Sequence, residues 1–328
     1  MNKAEIKDAE LVEHLSKLEK DGMTVFVMAE GQFRGAFYNG TEMVNQMRAN
    51  QNLGILETYI LGQALLCAAL FIPLMKSNQK EHWTFTYQTD GICKGFVVEA
   101  DSLGYVRGHL MQDHIPLEKP LESWDLAPFF GNGGTMTMSK LIEGMKEPQT
   151  SSVDIQFKNI AMDLAYYFDQ SDQVHSAFKT GIQFDKLGRV TGAGGMYVQV
   201  MPQAGGYSKV SAQTAFSGKE DAEEIREELI YKVEMALNAL PNPGQWFSEF
   251  GNREDIVYGL FREFKPTAVL DRAVIFDCPC SAQNFALRIK NLGKAELDDI
   301  LATEKFPLEV ICQNCGSVYY ITKEMLTK

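Results

Sequence analysis

Cys278-Pro279-Cys280, then 31 residues, then Cys312-Gln313-Asn314-Cys315: these two stretches hold four of the six cysteines in a chain of 328 residues. A Cys-x-Cys and a Cys-x-x-Cys turn each aim two sulfurs at one centre, which suits tetrahedral zinc with Zn–S distances of about 2.3 Å. The spacing therefore predicts metal ligands at Cys278, Cys280, Cys312 and Cys315. Four thiolates without a histidine leave no open position for a substrate. Two structural disulfides, or cysteines that never meet, are the alternatives. The start MNKAEIKDAELVEHLSKLEKDG is charged throughout and has no apolar signal region, so a reducing cytoplasm is expected and permanent disulfides are disfavoured.

Size gives the cluster its importance. From Ala273 to Lys328 the chain offers about 56 residues, where an apolar core alone rarely yields more than about 3 to 5 kcal/mol. A structural zinc in a small module contributes an apparent ~10 to 16 kcal/mol at neutral pH. The metal is thus expected to hold this end folded, and an oxidant that turns the thiolates into disulfides removes its ligands.

Outside the module, length predicts two units and a connector: an α+β domain over 1–205, a helical linker over 206–272 and the zinc module over 273–328. Hydrophobic residues make up 45 %, and 31 basic against 43 acidic residues give a net charge of -12. That balance disfavours nucleic acid or an anionic membrane as partner, and within the module the basic face of a nucleic-acid-gripping ribbon is missing. Ile60 to Met75 is a nearly continuous apolar run of 16 residues. It is short of a bilayer span, contains Gln63 and ends near Pro73, so a buried core helix is expected.

Along the chain, Ile6, Leu11, Leu15 and Leu18 have a helix-like spacing with weak packing power. Strands are expected at Met23–Met28 and Phe33–Asn39, the latter ending in an Asn39-Gly40 turn. Thr41 starts a helix through Met47, and Leu56 to Leu74 forms the buried one. Strands follow at Trp83–Gln88, Cys93–Glu99 and Gly104–Leu110, and Asn159–Gln173 is a helix. Ser176–Phe184 and Gly195–Met201 read as strands flanking a glycine-rich hairpin at Gly192–Gly195. Cys67 and Cys93 read as packed small hydrophobes. The Gly131-Asn132-Gly133-Gly134 run has no following Gly-Lys-Ser/Thr and reads as a plain turn rather than a phosphate loop.

The linker differs in kind. Ala222, Ile225, Leu229, Val233, Ala236 and Leu240 make one apolar stripe, opposed by like-charge pairs Glu220/Glu224, Glu223/Glu227 and Glu224/Glu228 that weaken an isolated helix by some tenths of a kcal/mol each. Such a helix needs an apolar surface to lie on. Pro241-Asn242-Pro243-Gly244 ends it, and a second amphipathic piece runs from Arg253 to Phe264. In the module, Ser281 caps a helix closed by Gly293, and Ala295–Thr303 forms another.

Taken together these residues resemble the 33 kDa chaperonin family of redox-regulated heat-shock chaperones. The cysteine order, Phe33-Arg34-Gly35, Gly131-Asn132-Gly133, and Gly194-Gly195-Met196 leading to Val198-Gln199-Val200-Met201-Pro202 carry the resemblance over about residues 23–328. It implies an ATP-independent holdase for unfolded clients, inactive when reduced and zinc-bound. It also implies oxidised pairs Cys278–Cys280 and Cys312–Cys315, zinc release, an unfolded linker over Gly205 to about Arg272, and dimers in the active form. Thr135 to Thr150, rich in Met, Gly and Lys, departs from the strand expected there, and the linker exceeds the length of well-known members. A thiol oxidoreductase acting through Cys312/Cys315, a zinc hydrolase, and a zinc module that binds RNA or a protein are the competing functions. A filled four-cysteine shell and the lack of a βαβ pattern around the Cys-x-x-Cys argue against the two enzymes.

Overall fold

The computed structural model describes residues 1–76, 79–117, 119, 121, 123–201 and 219–327, with 219–223 described as backbone only. The first elements are α1 (Ala9–Lys17), β1 (Gly22–Met28), β2 (Phe33–Asn39), α2 (Thr41–Gln51) and α3 (Ile55–Phe71). Next come β3 (Glu81–Thr89), β4 (Gly95–Asp101), β5 (Tyr105–Leu110), the single turn α4 (Ala127–Phe130), β6 (Gly134–Ile142) and β7 (Gln149–Asp154). Helix α5 (Ile160–Tyr167), β8 (Ser176–Phe184) and β9 (Val190–Val200) complete the N-terminal part. The linker supplies α6 (Lys219–Ala239), α7 (Pro243–Ser248), a wide turn at Asp255–Leu260 and β10 (Thr267–Arg272). The C-terminal end contributes β11 (Ile275–Phe276), α8 (Ala282–Lys290), α9 (Lys294–Thr303), β12 (Leu308–Ile311), β13 (Val318–Ile321) and α10 (Lys323–Thr327).

Two sheets enclose α3. One runs β10-β1-β2-β9-β8, the other β11-β5-β4-β3-β6-β7, and β12-β13 form a separate hairpin. Helix α3 packs on β4 and β5 from one side and on β8 and β9 from the other. All of its 17 residues except Ile55 and Tyr59 are buried, which is why its sequence is apolar all round instead of on one stripe. Its three buried polar side chains are matched: Ile115 N donates to Glu57 Oε1 at 2.9 Å, Thr58 Oγ1 to Gly54 O at 2.5 Å and Thr180 Oγ1 to Gln63 Oε1 at 2.9 Å. With its 3-10 continuation the helix runs Ile55–Leu74, 20 residues, long and apolar enough to cross a membrane; 83 % of its most apolar 18-residue stretch is buried inside the protein. The expectation of a run too short to span is corrected in length, while the core placement stands.

Several local expectations change. Asn39-Gly40 makes no hairpin turn; Gly40 precedes α2, and the Asn39 side chain accepts from Thr41 N and Oγ1. The β1–β2 turn is Ala29-Glu30-Gly31, all at positive φ. Cys93 lies in the turn before β4, and Thr135–Thr150 holds most of the β6–β7 hairpin. Gly192–Gly195 is no hairpin: these glycines lie inside β9, paired with β8 and β2. Packing explains the error, because α7 lies directly on β8 and β9. A Cβ on Gly192 would stand 2.1 Å from Gly244 O, and one on Gly194 2.5 Å from the Phe247 ring. Glycine here buys close backbone approach in place of a turn.

The linker docks on the outer face of the five-stranded sheet. Phe26, Met28, Phe33, Phe37, Met196 and Val198 of the sheet form one buried cluster with Val233, Leu237, Leu240, Phe247, Ile256, Val257, Phe261 and Phe264. Phe37 and Phe247 stack at 5.1 Å. The buried stripe is Val233 and Leu237 of α6 with Leu240 just after it; Ile225, expected on it, is 54 % exposed. The linker also ends in a strand, since β10 pairs along β1 from Met23↔Arg272 to Val27↔Thr267.

Candidate metal centre

The cysteines are delivered by two tight turns. Immediately after β11, Asp277 N donates to Val106 O and Cys278 N to Asp277 Oδ1, so Cys278 leaves the sheet edge in a fixed direction. Between β12 and β13, Cys312 O accepts from Cys315 N and Gly316 N, and Cys312 N donates to Ser317 O. That knuckle needs Gly316 at φ +66, where a Cβ would also stand 2.2 Å from Asn50 O.

The four Sγ atoms of Cys278, Cys280, Cys312 and Cys315 all lie within 4.8 Å of one another. Cys278 and Cys312 are 3.8 Å apart and Cys280 and Cys315 3.3 Å. A tetrahedron of sulfurs about 2.3 Å from zinc has edges of roughly 3.8 Å, so the donor set and its spacing fit that ion. The sequence thus placed together the residues that meet. All are buried except Cys280, which is half-buried. Hydrogen bonds from Cys278 and then Cys312 hold the Cys315 thiol far below its usual range, while those from Cys278 and then Cys315 push Cys312 up.

The shell around them was not legible in the sequence. Arg107 Nη1 donates to Cys278 Sγ at 3.6 Å, and its Nε to Glu99 Oε2 at 2.5 Å. Burial alone raises the Glu99 carboxyl, but His82 and Arg107 outweigh it and hold it at about 2. Its stabilising contribution is therefore present above the ordinary carboxylate range and is lost as pH falls toward 2. Tyr319 OH contacts Cys280 Sγ at 3.1 Å and donates to Cys280 O at 3.0 Å. From the end of α2, Asn50 Nδ2 donates to Cys315 O at 3.0 Å and Gln51 Nε2 to Asn314 O at 3.2 Å. His109 Nδ1 is 2.7 Å from Asn314 Oδ1, positioned beside the knuckle but outside the sulfur set.

The remaining candidates are structural. Cys67 is fully buried, and burial pushes its thiol up to about 12. Cys93 is buried and likewise raised. At Gly131–Gly133, Asp90 Oδ1 accepts from Asn132 N at 2.7 Å and Gly133 N at 3.1 Å, so a carboxylate already fills the nest a phosphate would need.

A family model described as Hsp33 protein matches residues 21–322. The 33 kDa chaperonin of Caldanaerobacter subterraneus is 29 % identical over 288 residues, 87 % of this chain and 89 % of that one. That of Aquifex aeolicus is 28 % identical over 312 residues, 94 % of this chain and 89 % of that one. The crystal structure of the 33 kDa chaperonin from Thermotoga maritima superposes with a TM-score of 0.76 at 26 % identity, covering 94 % of this chain and 97 % of that one.

Proposed function

Because the chain belongs to the Hsp33 protein family, and is thereby a chaperone that binds unfolded proteins, we propose that it is an ATP-independent holdase switched on by oxidation. In this reading Cys278, Cys280, Cys312 and Cys315 hold one zinc ion, which fixes the two knuckles in a single reduced geometry. The thiolate pair Cys278 and Cys280, and separately Cys312 and Cys315, each gives up two electrons to one peroxide, which takes two protons from the solvent and leaves as two waters. Each pair closes one S–S bond, and no thiolates remain to hold the ion. The three units are then an N-terminal core, a detachable linker and the zinc module.

One observation carries this: the chain entering Cys278 is pinned strand by strand to both sheets. Strand β10 forms the edge of one sheet beside β1, and β11 the edge of the other beside β5, with only Ala273 and Val274 between them. Tyr38 OH holds Val274 O at 3.0 Å. Displacing Cys278 pulls on both strands. Their release uncovers two sheet edges, and departure of α6, α7 and the 255–264 turn uncovers the Phe26, Phe33 and Phe37 face. Free edges and an apolar face are what an unfolded chain can pair with and pack on.

The test is suppression of a client's aggregation without ATP, before and after hypochlorous acid or peroxide with mild heat, with peptide mapping of the disulfides formed. Equal suppression in both states overturns the reading. The Arg107 contact yields a further prediction. Arg107 Nη1 donates to the Cys278 sulfur, so Arg107→Gln is expected to weaken zinc binding about tenfold, as loss of a hydrogen bond to a ligand does, and Arg107→Lys by less. A competitive zinc titration at fixed pH checks it, and unchanged affinity contradicts it.

A further inference from the structure

We propose that residues 1–19 are a latch that joins the cysteine module to the linker and sets how readily an oxidant opens them; this rests on the switch reading above. The segment lies outside the family match, which begins at residue 21. It nevertheless reaches both of the parts that reading requires to move.

At its start the segment binds the knuckle. Asn2 N donates to Ser317 Oγ at 3.0 Å, and Ser317 Oγ donates back to Asn2 O at 3.2 Å. Ser317 Oγ in turn lies 3.2 Å from Cys315 Sγ. Asn50 closes the loop: its Nδ2 donates to Asn2 O at 2.8 Å and to Cys315 O at 3.0 Å, and its Oδ1 accepts from Ala4 N at 3.1 Å. Two residues of the segment thus share one amide side chain with a cysteine backbone.

Its middle is anchored on the core. Asp8 caps α1 through Leu11 N, and Arg189 Nη1 binds Glu10 at 2.7 Å and Asp8 at 3.4 Å. Leu11, Leu15 and Leu18 are buried together. Its far end holds the linker. His14 packs edge-on against Phe250 at 5.6 Å while His14 Nε2 pairs with Thr191 O at 2.9 Å. The Glu19 carboxylate accepts from Arg253 Nε at 2.9 Å and from Arg253 N at 3.1 Å. Phe250 and Arg253 lie between α7 and the turn that carries Ile256 and Val257, inside the docked linker. The segment therefore spans from the Cys-x-x-Cys knuckle to the linker across the core. Contacts present in the closed state and broken on opening mainly slow opening.

The experiment compares the full chain with two variants, deletion of residues 2–18 and Leu11→Asp with Leu15→Asp, each zinc-loaded and reduced. Zinc release is followed with a chromophoric chelator under peroxide, together with free thiols. Both variants are expected to release zinc about tenfold faster, as the loss of a few net hydrogen bonds requires, and a peptide of residues 1–18 added to the deletion variant is expected to slow it again. Amide exchange over 243–264 in the reduced state is expected to speed up in parallel. Unchanged release and unchanged exchange in both variants overturn the latch. If the intact chain keeps its zinc under oxidant, the switch reading falls, while the exchange comparison still decides the latch.

Discussion

Cys312→Ser is expected to lose its metal and, with it, the folded state of residues 273–327. Apart from Val274, Phe276 and the cysteines, which join the main core, the module has little else to stand on. Among its described residues the small core comprises Ala286, Ile321 and Leu326 with partly buried neighbours such as Phe285, Leu297 and Tyr319, and α9 buries no residue fully. A serine hydroxyl is not a thiolate ligand, and the remaining three sulfurs make an open, weaker site. Most of an apparent ~10 to 16 kcal/mol of coupled binding and folding is expected to go. Metal analysis should find a large drop in zinc, and amide exchange should show 282–327 unprotected, while α3 keeps its protection between the two sheets. A variant with full zinc and a protected module contradicts the ligand assignment.

Gly192→Val is expected to undock the linker without touching a cysteine. The added Cβ meets Gly244 O at 2.1 Å and Ser248 N at 2.5 Å. Both are backbone atoms of α7, which cannot turn aside as a side chain can. Overpacking of this kind costs about 3 kcal/mol, and the helix it displaces carries Phe247, buried on Phe37. The strand itself is not the weak point, because valine suits a pleated strand. The reduced, zinc-loaded variant is expected to suppress client aggregation with no oxidant present. Wild-type stability together with wild-type inactivity when reduced contradicts the claim that the docked linker is what covers the binding face.

Residue 192 also shows where sequence reading stopped. The cysteine quartet was legible because metal geometry constrains spacing within each motif, and the Sγ atoms do converge. The α3 core helix was legible because burial on both sides leaves no polar stripe. The linker's need for an apolar partner was legible too, from repelling glutamates beside an apolar row. Which surface it takes was not, since the row of glycines that admits α7 looks locally the same as a turn. Within α6 the stripe drifted: Leu237 is buried and Ile225 exposed, and of the helix only residues from Leu229 onward join the cluster with the sheet. Residues 206–218 of the expected linker lie outside the described residues. Arg107, Asn50, Ser317 and Tyr319 carry no local signal. They meet the sulfurs only through pairings more than 35 residues distant or, for Ser317, through a knuckle whose φ only Gly316 allows readily. The latch was missed for a related reason, because its helix was read as weakly packing from four leucine-type positions while its hold comes from polar ends.

The direct test of the central claim is amide exchange on the full chain in two states, reduced with zinc and fully oxidised without it. Loss of protection over 219–327, including the β10 and β11 pairings, with 55–74 and 81–110 still protected, is the result expected. Protection retained across 243–276 after all four sulfurs are oxidised would contradict it.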